Sequence, residues 1–305
     1  MKKLMRFLLI GVVVAGFNSI GWTQSQTVSN SAAPDKNITQ LKNLLERAGE
    51  RIQKYQDAMF NIAFTEVLRQ QELQSDGTPK NKPKVFVYDS VVLSSRAPAN
   101  QQNQFPLITR TLKSIDGKLI EQKKLPQRSK CVETNPQPEY ADPLTFLLPK
   151  YQTGFIFSYA GEAELEGRKT GVIIVNEPVV SDPVTIVETG ECFRLSRNLR
   201  RQGKIWIDLT TFDVIQLQWQ LAETFNGKLI KGGKEISYEN EETTIRFRPV
   251  MFQNPEQVLL LPLSSESSWI LKGAKIAGFR ENIGYTRYRR FQTSVDIKDT
   301  DEDKN

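Results

Sequence analysis

The chain has 305 residues, with 41 lysines and arginines against 35 aspartates and glutamates, two cysteines and no histidine. Without histidine it cannot build a Ser-His-Asp or Cys-His centre, and it lacks the usual general base for chemistry near neutral pH. With so few cysteines a zinc or copper site would lack its ordinary ligands, so no metal and no cofactor is expected.

The chain opens on Met-Lys-Lys-Leu-Met-Arg and continues through the apolar run Phe7 to Phe17, the layout of a secretory signal over residues 1–25. Cleavage is expected after Gly21 or Ser25, where small residues stand. That run holds 11 residues, whereas a membrane-crossing helix needs about 20, so no stable span is expected once the signal is removed. No cysteine stands near the signal end, which excludes lipid attachment there. Loss of Lys2, Lys3 and Arg6 changes 41 basic against 35 acidic side chains to 38 against 35. The mature chain is then nearly neutral and offers no dense basic surface for a nucleic acid. An exported protein, periplasmic or extracellular, is the expectation.

Residues 26–37 read as a flexible leader, rich in Ser, Asn, Thr and Ala. From there Ile38, Leu41, Leu44, Leu45, Ala48, Ile52 and Tyr55 fall at helical spacing, predicting an amphipathic helix over 38–56 that Asp35 or Asn37 could cap. The period then changes to two. Phe60, Ile62, Phe64 and Leu68 alternate with Asn61, Ala63, Thr65 and Arg69, and strands follow at Val85 to Leu93 and Leu107 to Leu112. Asp116-Gly117 marks a hairpin turn. Residues 124–140 form a Pro- and Gln-rich loop containing Cys131, and Asp142-Pro143 before apolar residues predicts a short helix.

Strands resume at Phe155 to Leu165, where Phe155, Phe157, Tyr159, Ala163 and Leu165 share one face. Val172 to Val175, Gly203 to Leu209 and Asp213 to Leu221 follow, the last with Ile215, Leu217, Trp219 and Leu221 on a dry side and three glutamines on a wet one. Further strands are expected at Ile245 to Phe247, Val258 to Leu263 and within Ala274 to Phe291. Residues 297–305 form a charged tail, without apolar residues from Lys298 on, expected to be disordered. A single domain over 38–296 accommodates all of this. In an oxidising compartment Cys131 and Cys192 are expected to form a disulfide. A loop of about 60 residues closed in that way is worth roughly 4 kcal/mol. The rival reading is a reactive thiol or a metal ligand.

The order helix, long antiparallel sheet, short internal helix and more sheet, together with the tract Gly203-Lys-Ile-Trp-Ile-Asp-Leu-Thr-Thr-Phe-Asp-Val-Ile, resembles the lipoprotein-carrier (LolA/LolB-like) superfamily. Leu45-Glu-Arg-Ala-Gly-Glu-Arg-Ile followed by Tyr55, Ser114-Ile-Asp-Gly-Lys, and Gly278-Phe with Tyr288-Arg-Arg-Phe291 resemble more closely a group of uncharacterised exported bacterial proteins of about this length. The resemblance implies an α+β fold: a curved antiparallel sheet forming an unclosed half β-barrel, its concave apolar face covered by the N-terminal and internal helices. It further implies that this face can hold acyl chains. It assigns no individual residue.

The candidate site is therefore the dry face of the sheet. Phe155, Phe157, Tyr159, Ile215, Leu217 and Trp219 could line a cavity for a hydrophobic ligand, or could pack under the helices as core. Glu162, Glu164 and Glu166 lie at strand spacing with nothing to bury them, which reads as a solvated face rather than an acid/base pair. Two basic clusters, Arg194 to Lys204 and Arg287, Arg289 and Arg290 among aromatic residues, could meet phosphate headgroups or an acidic partner, or be scattered surface charge. No glycine-rich phosphate loop, nucleophile elbow or metal-spaced carboxylate loop is present, so no catalytic residue is assigned. The expected partner is a lipid or a lipidated protein, or another envelope protein contacted through the rim of the same scaffold. Oligomeric state is not legible. Irregular strand lengths and the preceding amphipathic helix argue against a transmembrane barrel.

Overall fold

A computed structural model describes residues 34–59, 61–93, 107–120, 143–179, 186–189, 192–195, 199–228, 235–253, 256–273 and 277–291. The expected signal, most of the leader, the acidic tail and Cys131 lie outside these residues, and with Cys131 the expected disulfide.

Among the described residues one helix, α1 (Pro34–Ala58), precedes the sheet. It starts earlier than expected, at a proline whose missing N–H costs nothing in a first turn. Asp35 and Asn37 therefore lie inside it rather than capping it, and the expected leader is helical from Pro34 on. Leu44, Ala48, Ile52 and Tyr55 form its buried stripe, while Ile38 at the free end is 64 % exposed.

Among the described residues twelve antiparallel strands build one unclosed sheet: β1 (Ile62–Leu73), β2 (Lys84–Leu93), β3 (Leu107–Ile115), β4 (Lys118–Leu119), β5 (Ile156–Leu165), β6 (Arg168–Asn176), β9 (Arg201–Asp208), β10 (Val214–Leu221), β11 (Phe225–Lys228), β12 (Glu235–Gln253), β13 (Glu256–Lys272) and β14 (Gly278–Arg290). Their order is β4-β3-β2-β1-β14-β13-β12-β10-β9-β6-β5, with β11 paired to β12. The strands β7 (Ile186–Thr189) and β8 (Cys192–Leu195) form a separate hairpin. The first and last strands are neighbours in the interior of the sheet, where β1 pairs with β14. The expected turn at Asp116-Gly117 joins β3 to β4, both residues at positive φ. The whole is an α+β half-barrel with α1 across one face.

The strands β4 and β5 are consecutive in sequence yet occupy opposite edges. The chain between them ends in a 3-10 turn at Thr145–Leu147 and a short helix, α2 (Pro149–Gln152). The expected helix start at Asp142-Pro143 is displaced: Leu144 precedes the turn without a side-chain cap, and Pro149 opens α2. Phe146, Leu147 and Leu148 are buried with the stripe of α1 and with Ile173, Val175, Ile205, Ile207, Leu217, Ile245 and Leu259 in one core on the covered face. The other face carries mostly polar side chains, as alternation in a sheet wetted on one side requires. No helix among the described residues is long and apolar enough to cross a membrane.

Candidate functional site

The covered face beside β5, β6, β9 and β10 is where the expected lining residues gather. Phe146, carried by the 3-10 turn, inserts among them, its ring centroid 5.3 Å from Phe155, 6.3 Å from Phe157 and 5.1 Å, edge-on, from Trp219. Leu217 and Ile215 are 0 % and 2 % exposed. Phe155, Phe157, Tyr159 and Trp219 remain only half-buried, packed at the margin of the core. Ile215 falls at a register shift between β9 and β10, and Val214 takes the place in the main core that strict alternation would have assigned to it. The Trp219 ring lies flat across Gly203, where a Cβ would come within 2.7 Å of it. That contact explains the glycine at the head of the 203–215 tract.

The rest of that tract holds the helix. Asp208 turns the chain: its Oδ1 accepts the backbone N–H groups of Thr210 and Thr211 at 2.7 and 3.1 Å. Its Oδ2 lies 3.5 Å from the Arg168 guanidinium. Phe212 sits at φ 59°, and this left-handed residue aims the Asp213 carboxylate at α1. Arg51 donates to Asp213 Oδ1 through Nε and Nη2 at 3.0 and 2.9 Å, and the Tyr55 hydroxyl donates to the same oxygen. One helical turn earlier Arg47 stacks 4.4 Å from the centroid of the Phe212 ring. Arg47, Arg51 and Tyr55 recur every fourth residue, so one stripe of α1 meets one turn of the sheet. Burial, and then the bond to Asp213, holds the Tyr55 phenol well above the usual tyrosine range.

The 3-10 turn and α2 together plug this end of the covered face, and this plug is tied to the same helix. Gln152 donates to the carbonyls of Leu147 and Leu45 at 2.6 and 3.2 Å, and Gln56 to Thr145 Oγ1 at 3.3 Å. Gly49 permits the approach, because a Cβ there would lie 2.8 Å from the Leu147 carbonyl oxygen. Helix, plug and turn thus form one cover.

A second polar centre lies on β1 to β3. Glu66 is fully buried and accepts from Ser90 and from Arg110, whose guanidinium also stacks 4.7 Å from the centroid of the Tyr88 ring. Paired charges of this kind are stable only when their hydrogen bonds are made. Alternation places Glu66 on the dry side with Ile62, Phe64 and Leu68, a position at which a carboxylate reads in the sequence as a break.

The basic clusters are dispersed. Arg201 pairs with Glu241 at 2.6 Å, Arg200 lies 3.8 Å from Glu223, and Lys204 stacks near Trp206. Arg290 donates to Gln257 and to the Ala58 carbonyl, clasping the end of α1, while Arg287 and Arg289 are exposed. Side chains of Arg194 and Arg197 lie outside the described residues. Glu162, Glu164 and Glu166 are exposed, as expected. No cluster of metal-ligating side chains occurs among the described residues.

Fold and site together define an α+β half-barrel with an apolar face closed by a helix and a plug. No family model matches the sequence, and no curated protein matches it significantly. Among solved structures the chain is similar to a LolA superfamily protein from Nitrosomonas europaea, at 9% identity and a TM-score of 0.35, covering 83% of this chain and 94% of that one. It is similar to a domain from Vibrio parahaemolyticus, named provisionally as an outer membrane lipoprotein-sorting protein, at 11% identity and a TM-score of 0.36, covering 85% and 96%. A DUF1329 family protein from Desulfovibrio piger is similar at 9% identity and a TM-score of 0.38, covering 84% and 95%. No residue correspondence follows at such identities.

Proposed function

We propose that this is a non-catalytic exported protein whose covered face binds a hydrophobic ligand: a lipid, an acyl chain or a lipidated protein. The observation that carries the reading is the state of the aromatic ring cluster. Phe155, Phe157, Tyr159 and Trp219 are large apolar side chains left half-buried around Phe146, which arrives on a short separate element rather than on the sheet. Withdrawal of that element would expose a contiguous apolar floor completed by Leu217, of the kind ligand sites use. The cover is seated by the buried apolar stripe of α1 and by Phe146, Leu147 and Leu148 as well as by hydrogen bonds and one ion pair, so a ligand that opens it must replace the apolar contacts it removes. In this reading the structure is the closed form.

A second reading is an envelope interaction or sensor module in which the same scaffold presents its rim to another protein. It is favoured by the filling of the covered face by Phe146, Leu147 and Leu148. Mass spectrometry of organic extracts of the purified mature protein, before and after incubation with mixed-lipid vesicles, separates the two. Stoichiometric lipid in either extract supports the first reading; its absence from both removes it.

A further inference from the structure

Among the described residues the sheet ends on β5, and α1 does not stop there. The helix crosses the strands in turn. Gln40 Nε2 lies 3.4 Å from Glu162 Oε1 on β5, Leu44 stands over Gly171 on β6, where a Cβ would come within 2.7 Å of it, and Arg51 reaches Asp213 just before β10. Residues 34–39 therefore project past the edge. At about 1.5 Å of rise per residue they reach roughly 9 Å, against about 4.8 Å between neighbouring strands, so the overhang is long enough to roof one more strand. Ile38 continues the apolar stripe of Leu41, Leu45 and Ala48, yet it is 64 % exposed, because the sheet offers it nothing to lie on.

The strand beneath is itself unfinished. Among the described residues the outer edge of β5 pairs with no strand. Its first half, from Ile156 to Ala160, holds no charge and no proline, and Ile156 is 60 % exposed; an edge of this kind templates another strand. The register shift between Tyr159 and Gly161 decides which strand fits. Before it, Phe157 and Tyr159 face the helix side, opposite Val175 and Ile173 of the core. After it, Glu162, opposite Gly171 and bonded to Gln40, faces that side, and alternation adds Glu164, opposite Lys169. The helix side of β5 is thus aromatic in one half and acidic in the other. Directly opposed residues of an antiparallel pair share a face. A second β5 laid antiparallel with Ile156 against Leu165 therefore matches helix side to helix side along its whole length. Phe157 then meets the partner's Glu164 and Tyr159 the partner's Glu162, and no two glutamates are opposed. Without the bulge the same register would turn the partner's helix to the other face.

We propose that β5 is the interface of a homodimer, in which two copies join edge to edge about a two-fold axis perpendicular to the sheet and each α1 overhang roofs the other copy's β5. Ile38 then lies on the partner's strand instead of in water. The N-terminus of α1, the positive end of its dipole, is carried to the partner's exposed Glu162 and Glu164. The two helices have room. Each crosses β5 at Glu162, and the residue facing Glu162 is Tyr159, so the crossings are three residues, or about 10 Å, apart along the strand, close to the ordinary separation of packed helices. A strand from another protein would use the same backbone edge, but a second copy alone brings a second overhang and the matching order of aromatic and acidic halves. The dimer does not depend on what the covered face binds.

The test is sedimentation velocity of the mature protein from about 5 to 300 µM, with hydrogen exchange measured at both ends of that range. A monomer–dimer equilibrium with Kd at or below about 100 µM is expected, and the amides of residues 156–165 should exchange more slowly at the higher concentration. Ile38→Glu and Ile156→Lys, both at exposed side chains, should each weaken dimerisation about tenfold or more without lowering the melting temperature of the dilute protein. A monomer throughout overturns the proposal and assigns the bulge to blunting the edge. So does a dimer in which the β5 amides gain no protection, or one that neither variant weakens, since its interface would lie elsewhere.

Discussion

Asp213 is the residue on which α1 depends most. Its carboxylate receives both Arg51 nitrogens and the Tyr55 hydroxyl, and its side chain is 8 % exposed against 38 % for Arg51. Hydrogen bonds to charged groups contribute about 1.5–3 kcal/mol, and the exposure of Arg51 places the expected loss for Asp213→Asn toward the lower end of that range. Chemical denaturation should show it as a shift in midpoint at unchanged slope; an unaltered midpoint would mean that apolar packing alone seats the helix. The neighbouring Tyr55 makes the same contact sensitive to alkali. Burial and the Asp213 bond raise its folded pKa above the unfolded value of about 10. The stability it contributes is therefore complete below about pH 10 and is lost as pH rises from there toward the folded pKa. Tyr238, raised by burial and by Glu241, behaves alike. Unfolding measured between about pH 8 and pH 11 should fall off less steeply in Tyr55→Phe than in the wild type, though not become flat, because Tyr238 remains.

At the scale of elements, the contact between α1 and the plug gives the sharpest expectation. Replacing an interior helical glycine by alanine ordinarily stabilises by about 1 kcal/mol. At Gly49 the new Cβ would stand 2.8 Å from a backbone oxygen of Leu147 and 3.3 Å from Pro149, neither of which can rotate away. Gly49→Ala should consequently lower the melting temperature, and a rise would show that the 3-10 turn does not sit against the helix. Elements of this kind were also where the sequence was readable. The 3.6-residue spacing of Leu44, Ala48, Ile52 and Tyr55 and the alternation in β6, β9, β10 and the first half of β5, up to the register shift after Tyr159, report local geometry, and local geometry is what periodicity encodes. Three features escaped it for physical reasons. The shift at Val214–Gln216 breaks the period within a single strand, and nothing in the residue types marks a bulge there. Glu66 is apolar by position and charged by type, because its partners Ser90 and Arg110 stand 24 and 44 residues away. The clamp joins residues 162 apart, so the Asp208–Asp213 tract could be recognised as a strand-turn-strand while its task, holding a helix, stayed hidden until the sheet was assembled.

For the whole molecule, the half-barrel form was implied by the family resemblance alone, while a helix covering the dry side of an antiparallel sheet was legible in the residues, because one long amphipathic helix and a series of one-sided strands leave few ways to hide both apolar faces. Whether the covered face is open was not, since the same six residues can line a cavity or fill one. The structure brings Phe155, Phe157, Tyr159, Leu217 and Trp219 together and adds Phe146 among them. The functional account accordingly rests on Phe146 being removable. Titration with cis-parinaric acid, read as energy transfer from tryptophan, tests this directly. The account expects saturable one-to-one binding that is tighter in Phe146→Ala, even though that variant is less stable by about 3–5 kcal/mol, and transfer that drops in Trp219→Phe. Absence of saturable transfer in both the wild type and Phe146→Ala would contradict it.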